Sequence, residues 1–320
     1  MDLIYTDKNK IDVGVMKDYS FDLAFGEDEN NFQLSITSDN NVCEEDGLVY
    51  IEGTEYGGII DAVEVYTAEK TINYKGRTWH GILNTKIIQP DSGAAYYTVS
   101  GDANTILGTL VTRLGLNGLF TASSASSGLT ISSYSFKRYT GGYDGIVDML
   151  QTVGAKLHIE WLNGVVQLSA VAAVDYGEDD LSSDHIALHI QKTYNPVNHL
   201  ICLGQGELAQ RTVVHLYCDA NGNISTTQTF TGMEEVANVF DFPNAESAEE
   251  LQKEGKKKLK ELNNSDEIEV SLDDAYEFDV GDKITADDAI TGITVSSRVL
   301  KKIVTIDKNQ FLINYKVGEV

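Results

Sequence analysis

Tyr19-Ser20-Phe21-Asp22-Leu23-Ala24-Phe25 alternates large apolar side chains with small or polar ones, and Phe32-Gln33-Leu34-Ser35-Ile36 repeats the period of two. Successive side chains of an extended strand point to opposite faces, so this alternation predicts two β-strands, each with one buried face. Working outward, residues 48–52, 59–67 and 71–75 continue the pattern. Clusters of Gly and acidic residues, such as Glu55-Tyr56-Gly57-Gly58, separate them. Residues 1–95 therefore read as an all-β domain.

Near Pro90 the texture changes. Ile106, Leu107, Leu110, Val111 and Leu114 recur at helical spacing, with Asp102 placed to cap the start and Gly115 to stop the end. A small-residue run from Thr121 to Gly128 reads as a loop, and a second short helix is predicted over 144–153. A hairpin follows: strands over 156–161 and 165–171 about Asn163-Gly164, a pair that supplies the positive φ angles of a type I′ turn. Residues 96–190 read as an inserted α/β module. From about 199 the pattern is β again, with 212–218 and 223–230 flanking Asp219-Ala220-Asn221-Gly222. The strongest helix runs over 247–262. Ser247 and Glu250 have capping-box spacing, and Leu251, Gly255, Leu259 and Leu262 share a stripe. Glu246, Glu249 and Glu250 sit at its positive end, and Lys256, Lys257, Lys258 and Lys260 at its negative end. Strands over 267–272, 293–300, 303–306 and 311–316 complete residues 191–320. The fold class is mainly β with an α+β insertion: two β-barrel or sandwich domains flanking a small α/β module.

The chain has 320 residues, 49 Asp+Glu against 24 Lys+Arg, and a formal charge of −25. Such a surface does not grip a phosphate backbone or an anionic bilayer, because both need cations. A like-charged wall does suit DNA that must slide past. No basic-then-apolar leader opens the sequence, and no apolar run approaches the roughly 20 residues of a membrane helix. Cys43, Cys202 and Cys218 lack any C-x-x-C pair and read as buried thiols of a protein made in a reducing cytoplasm.

No motif carries a catalytic constellation. Gly204-Gln205-Gly206-Glu207-Leu208-Ala209 has the letters of a dinucleotide fingerprint, but the strand-like Arg211–Tyr217 run follows where a helix is required, so it reads as a Gly-rich turn. His185 and His189 have helical zinc spacing, yet their neighbours alternate as a strand, which sets the imidazoles about 13 Å apart. Asp219-Ala220-Asn221-Gly222-Asn223 partly matches a calcium loop, but Gly is not at the sixth place and the hairpin reading is preferred. The pairs Asp179-Asp180, Asp273-Asp274 and Asp287-Asp288 would suit acid/base chemistry only if they faced one bond; adjacent residues usually point apart, so they read as solvated loops.

Two segments carry a resemblance. Tyr74-Lys75-Gly76-Arg77-Thr78-Trp79-His80-Gly81-Ile82-Leu83, followed by Ile87-Ile88, resembles the end of the first domain of bacteriophage and prophage tail baseplate hub proteins. Phe278-Asp279-Val280-Gly281-Asp282-Lys283-Ile284, with the final hairpin through Ile313–Gly318, resembles the hub's C-terminal barrel. The resemblance implies a homotrimer whose two tube-forming barrels per chain build a ring. That ring links tail tube to baseplate or tip and passes DNA through its lumen without specific binding. It further implies other tail proteins as partners (a tail tube or distal tail protein, and a fibre or tip protein). Location in the virion tail after assembly in the bacterial cytoplasm, no cofactor, no membrane anchor and no enzymatic step also follow. Because the sequence stops at Val320, after the last barrel strand, it is expected to be the hub alone. Gly76 and Gly281 are expected to set turn geometry, and Arg77 and Asp282 to make polar contacts fixing those turns. The alternative is a cell-wall polysaccharide-binding module or glycan hydrolase of a tail tip, with Tyr5, Tyr56, Tyr96, Tyr97, Tyr134, Tyr139 and Tyr143 as a sugar platform.

Overall fold

The two alternating segments are antiparallel neighbours, Tyr19–Gly26 and Asn31–Thr37. This is seen in the computed structural model, which describes residues 1–37, 43–177, 188–191, 193–245, 247–263, 267–271, 277–288, 290–307 and 310–318. Phe21, Leu23, Phe25, Phe32, Leu34 and Ile36 are all buried on one face, as the period of two requires. Beyond Asn31–Thr37 the sheet continues through Thr71–Thr78, Gly57–Tyr66, Leu48–Tyr50 and Ile4–Thr6 to Asp12–Val15.

On its other side Tyr19–Gly26 pairs with Ile293–Asp307, a strand from the far end of the chain. That strand then pairs with Phe311–Gly318, and the sheet goes on through Glu267–Ser271 to Leu188–Gln191. The first half of Ile293–Asp307 also pairs with Lys283–Asp288, which carries Asp175–Tyr176 beside it. N-terminal and C-terminal strands thus belong to one sheet. They also share one core, built from residues between Leu3 and Tyr74 and between Phe278 and Val317.

A second core joins helices α1 (Trp79–Asn84), α2 (Ala103–Arg113) and α3 (Gly142–Gln151) to the small sheet of Phe120–Ala122, Val165–Ala172 and Ala155–Leu162. A third places Leu251 and Leu259 of α4 (Ala248–Asn263) on Leu200, Cys202, Leu216 and Cys218. The architecture is mainly β with a few helices, as the alternation predicts.

The local signals act as their chemistry dictates. Asp102 Oδ1 accepts from the Asn104 and Thr105 amides at the start of α2, and Oδ2 accepts from Ser126 and Ser127. The hydroxyl bond from Ser126 leads the set that holds this carboxyl down to about 2. Asn163 and Gly164 have φ of 53° and 81°, as a type I′ hairpin needs. Ser247 Oγ accepts from the Glu250 amide at 3.1 Å; Glu246 lies outside the described residues.

Two expectations need correction, and one helix was not expected. The strand expected over 223–230 is only Ile224–Ser225, because the polar residues that follow offer no buried face. Helix α1 has no periodic signature: five of its six residues are buried, so no polar stripe marks it, and Thr78 caps it through Gly81 N. The strands expected over 293–300 and 303–306 are a single 15-residue strand with an irregularity next to Leu300. Lys301-Lys302 does not interrupt it, because Lys302 is buried and neutralised.

Candidate functional site

Lys302 falls in register with Val304 and Ile306 on the inward face of its strand, and its side chain is 0 % exposed. Its Nζ donates to Glu55 Oε1 at 2.9 Å and Glu277 Oε1 at 2.8 Å, and lies 5.3 Å from the centre of the Tyr56 ring. Tyr56 OH donates to the same Glu277 oxygen at 2.7 Å. A second ammonium, Lys156 Nζ, donates to Asp279 Oδ2 at 2.6 Å and Asp282 Oδ2 at 2.8 Å. Asp279 also lies 3.9 Å from Lys302, so the two groups form one cluster.

Each part of the chain contributes. Glu55 and Tyr56 come from the turn before Gly57–Tyr66, Lys156 from the strand Ala155–Leu162, Glu277, Asp279 and Asp282 from the turn before Lys283–Asp288, and Lys302 from the strand Ile293–Asp307. Four carboxyls face two ammonium groups. Burial pushes Glu55 up, and Lys302 only partly opposes that. Burial works against the Lys302 ammonium, but Glu55 and Glu277 beside it hold its pKa above the usual lysine range. Glu277 and Asp279, despite burial, are held below the ordinary carboxylate range by Lys302 and Lys156 respectively.

His80 of α1 stacks flat on Phe25 at 4.3 Å, meets Tyr143 edge-on, and stands 3.7 Å from Glu55 Oε2. Burial drops its pKa to about 3, and the Lys302 charge adds to the effect. The sign of the resulting pH dependence is definite. Below about 6.5 the unfolded chain takes up a proton that the folded His80 refuses, so stability falls from there down towards pH 3. The slope approaches about 1.4 kcal/mol per pH unit. Glu277 and Asp279 add loss in the carboxylate range; Glu55, whose pKa is raised, works the other way. Melting temperature measured against pH should drop between pH 6.5 and 4 in the wild type, and His80→Phe should flatten that drop. An unchanged profile in His80→Phe would show that His80 does not carry it.

The four residues singled out by the sequence divide between two places. Asp282 belongs to the cluster: it is fully buried, Oδ2 also accepts from Asp279 N at 2.9 Å, and Oδ1 accepts from Val174 N at 2.8 Å. Gly281, at φ 101°, turns the chain beside it, and a Cβ there would lie 3.0 Å from Lys156 Cβ. Gly76 lies within the strand Thr71–Thr78, not in a turn. It is glycine because a Cβ would come within 1.8 Å of the Ile59 carbonyl oxygen. Arg77 clamps Asp61, where the pairing of Gly57–Tyr66 slips between Ile60 and Ala62. Its Nε and Nη2 donate to the two carboxylate oxygens at 2.8 and 2.7 Å, and its amide to Oδ2 at 3.0 Å. Arg77→Ala should cost about 1 kcal/mol in chemical denaturation, since the clamp is half-exposed.

Sequence reasoning missed Lys302, Lys156, Glu55, Glu277, Asp279 and His80. The available signal was Lys302 itself, a lysine at an inward position of an otherwise apolar alternation.

The other candidates resolve simply. Gly204–Ala209 leads into a one-turn segment, Leu208–Gln210, and then the strand Val213–Cys218. His189 lies in the strand Leu188–Gln191, while His185, Asp179-Asp180 and Asp273-Asp274 lie outside the described residues. Asp219 accepts from the Asn221 and Asn223 amides within its hairpin turn, and Asp288 from Thr291. Cys202 and Cys218 are buried and Cys43 half-buried. Among the seven tyrosines, Tyr56 and Tyr143 are buried, Tyr5, Tyr97 and Tyr134 pack against the cores, and Tyr96 and Tyr139 are exposed. Among the described residues no three His, Cys, Asp or Glu side chains are grouped to hold a metal.

No family model and no curated protein matches this sequence. Solved structures do match, three of them over nearly the whole of both chains. A 43 kDa tail protein of prophage MuSo2 from Shewanella oneidensis superposes with a TM-score of 0.55 at 12 % identity, covering 100 % of this chain and 98 % of that one. The chain has the fold of prophage tail proteins. A tail protein from Neisseria meningitidis gives 0.50 at 14 % identity, with 99 % and 96 % covered. Prophage tail protein gp18 from Listeria monocytogenes gives 0.50 at 13 %, with 100 % and 95 % covered. In this prophage-tail fold the charge cluster is a joint that ties the turn at Glu55, the inserted module and the C-terminal strands together.

Proposed function

We propose that this chain is a structural protein of a phage or prophage tail, a hub that joins tail tube to baseplate or tip as a homotrimeric ring. The observation that carries the reading is end-to-end similarity of fold to three tail proteins, two of them from prophages, with nearly all of both chains covered. Residues 1–95 and 191–320 supply the tube-forming β parts, with 96–190 set between them. A formal charge of −25 suits a lumen that lets DNA pass without adhering. Neighbouring tail proteins are its partners, and the virion tail, assembled in the host cytoplasm, is its location.

The role is architectural and needs no chemical step. Gly76, Arg77, Gly281 and Asp282 act through geometry, holding strand pairing and the joint. The dispersal of the tyrosines between cores and surface favours this reading over a polysaccharide platform. Light scattering and negative-stain imaging of concentrated protein test it. Particles of three chains with a central hole are expected; particles of any other symmetry, or monomers at every concentration, would overturn the ring.

A further inference from the structure

Four of the chain's arginines are engaged. Arg77 clamps Asp61, Arg113 and Arg211 pair with Asp91 and Asp241, and the Arg138 guanidinium lies 5.5 Å from the centre of the Tyr139 ring. The remaining one is Arg298. Among the described residues its guanidinium has no hydrogen bond, ion pair or ring contact, in a chain with 49 acids against 24 bases.

Its strand neighbour makes the position more costly. Arg298 stands directly opposite Lys283 in the pairing of Ile293–Asp307 with Lys283–Asp288, and like charges facing each other destabilise a sheet. Lys283 has a counter-ion of its own, Asp175 at 3.0 Å. A half-buried cation beside another cation, with no acid brought to it, departs from what stability favours, and such departures gather at functional sites.

The side chain lines a cavity of about 470 Å³, within the usual size of small-ligand sites. The cavity lies between the turn after Tyr19–Gly26, one face of α3, the turn before Lys283–Asp288 and the middle of Ile293–Asp307. Buried Tyr143 and Val299, with half-buried Val147, Val280 and Leu300, give it apolar walls. Of its acids, Asp148 is paired with Lys137 at 2.6 Å and Asp144 accepts from Asn84 Nδ2 at 3.1 Å. Glu27 and Lys260 are exposed at its margin.

We propose that this cavity binds the free carboxylate end of an apolar peptide, with Arg298 as its anchor. A guanidinium presents parallel N–H donors that match the two oxygens of a carboxylate. The apolar walls bury the body of the peptide beside it. The Glu27 and Asp144 carboxylates repel a phosphate dianion more than a singly charged group. The site belongs to one chain by itself and does not depend on the ring.

Titration with acetyl-Val-Leu, followed by amide NMR shifts, tests it. Shifts confined to residues around Arg298 are expected, saturating at millimolar peptide. Acetyl-Val-Leu amide, which lacks the charge, should bind at least tenfold more weakly, and so should inorganic phosphate. Arg298→Gln should lose the binding and Arg298→Lys should keep part of it. Neither should lower the melting temperature, because the guanidinium supports nothing within the fold. No shifts around Arg298 at millimolar peptide would overturn the site, and acid and amide binding alike, or phosphate binding as tightly as the peptide, would overturn its specificity for a carboxylate end. A lower melting temperature in both Arg298→Gln and Glu27→Gln would show that these two side chains pair with each other, and would overturn the role of Arg298 as an anchor.

Discussion

Lys302→Ala is expected to destabilise the fold by about 3–5 kcal/mol, the usual range for removing one partner from a buried ion pair. The loss comes less from the missing attraction than from what remains. Glu55, largely enclosed, and the more exposed Glu277 would lose the buried donor they share, and Asp279 its second cation. Tyr56 OH, which donates to Glu277, could not replace a full charge. The expected relief is specific: Lys302→Met combined with Glu55→Gln removes a cation and its most enclosed carboxyl together, and should recover much of the loss. Urea denaturation of the single and double variants decides it. A Lys302→Ala midpoint close to wild type would mean that water, not protein, neutralises these carboxyls.

Asp282→Ala should be nearly as costly, by about 3 kcal/mol or more, for a different reason. Its carboxylate serves three donors at once: Lys156 Nζ, Asp279 N and Val174 N. Alanine would orphan two backbone amides and leave Lys156 with Asp279 alone. Asp282→Asn keeps an acceptor for one amide while removing the charge, so its loss should fall between wild type and Asp282→Ala. The module bearing Lys156 should also loosen from the C-terminal turn, read as faster amide hydrogen exchange across Ala155–Leu162. Equal stability of all three proteins would show that the joint does not hold the module in place.

Both predictions concern residues whose partners lie far away in sequence: Glu55 is separated from Lys302 by 247 positions and Lys156 from Asp282 by 126. Periodicity reports only which face a residue takes. Alternation with Val304 and Ile306 places Lys302 inward, but a single chain pattern has no means of showing that a carboxylate waits there, so the sequence reads as two strands broken at Lys301-Lys302. Gly76 was expected to set turn geometry, whereas it lies within a strand at a close approach to the Ile59 carbonyl. Asp282 was expected to make polar contacts within its own turn; its carboxylate accepts from Asp279 N and also from Lys156 and Val174, more than a hundred residues earlier.

Secondary structure was legible wherever its cause is local. The alternation at 19–36, the Asp102 cap, the Asn163-Gly164 turn and the α4 stripe depend on neighbours within a few residues, and the sequence by itself determined them. It also determined the mainly β class and the acidic surface, which are properties of composition and period. Tertiary structure alone decided that the first and last strands share one sheet and that two buried lysines bind three parts of the chain. Those depend on which faces meet, and apolar faces of equal period are interchangeable until loop lengths, close contacts such as Gly76 against Ile59, and buried charges that tolerate only their own partners exclude every pairing but one.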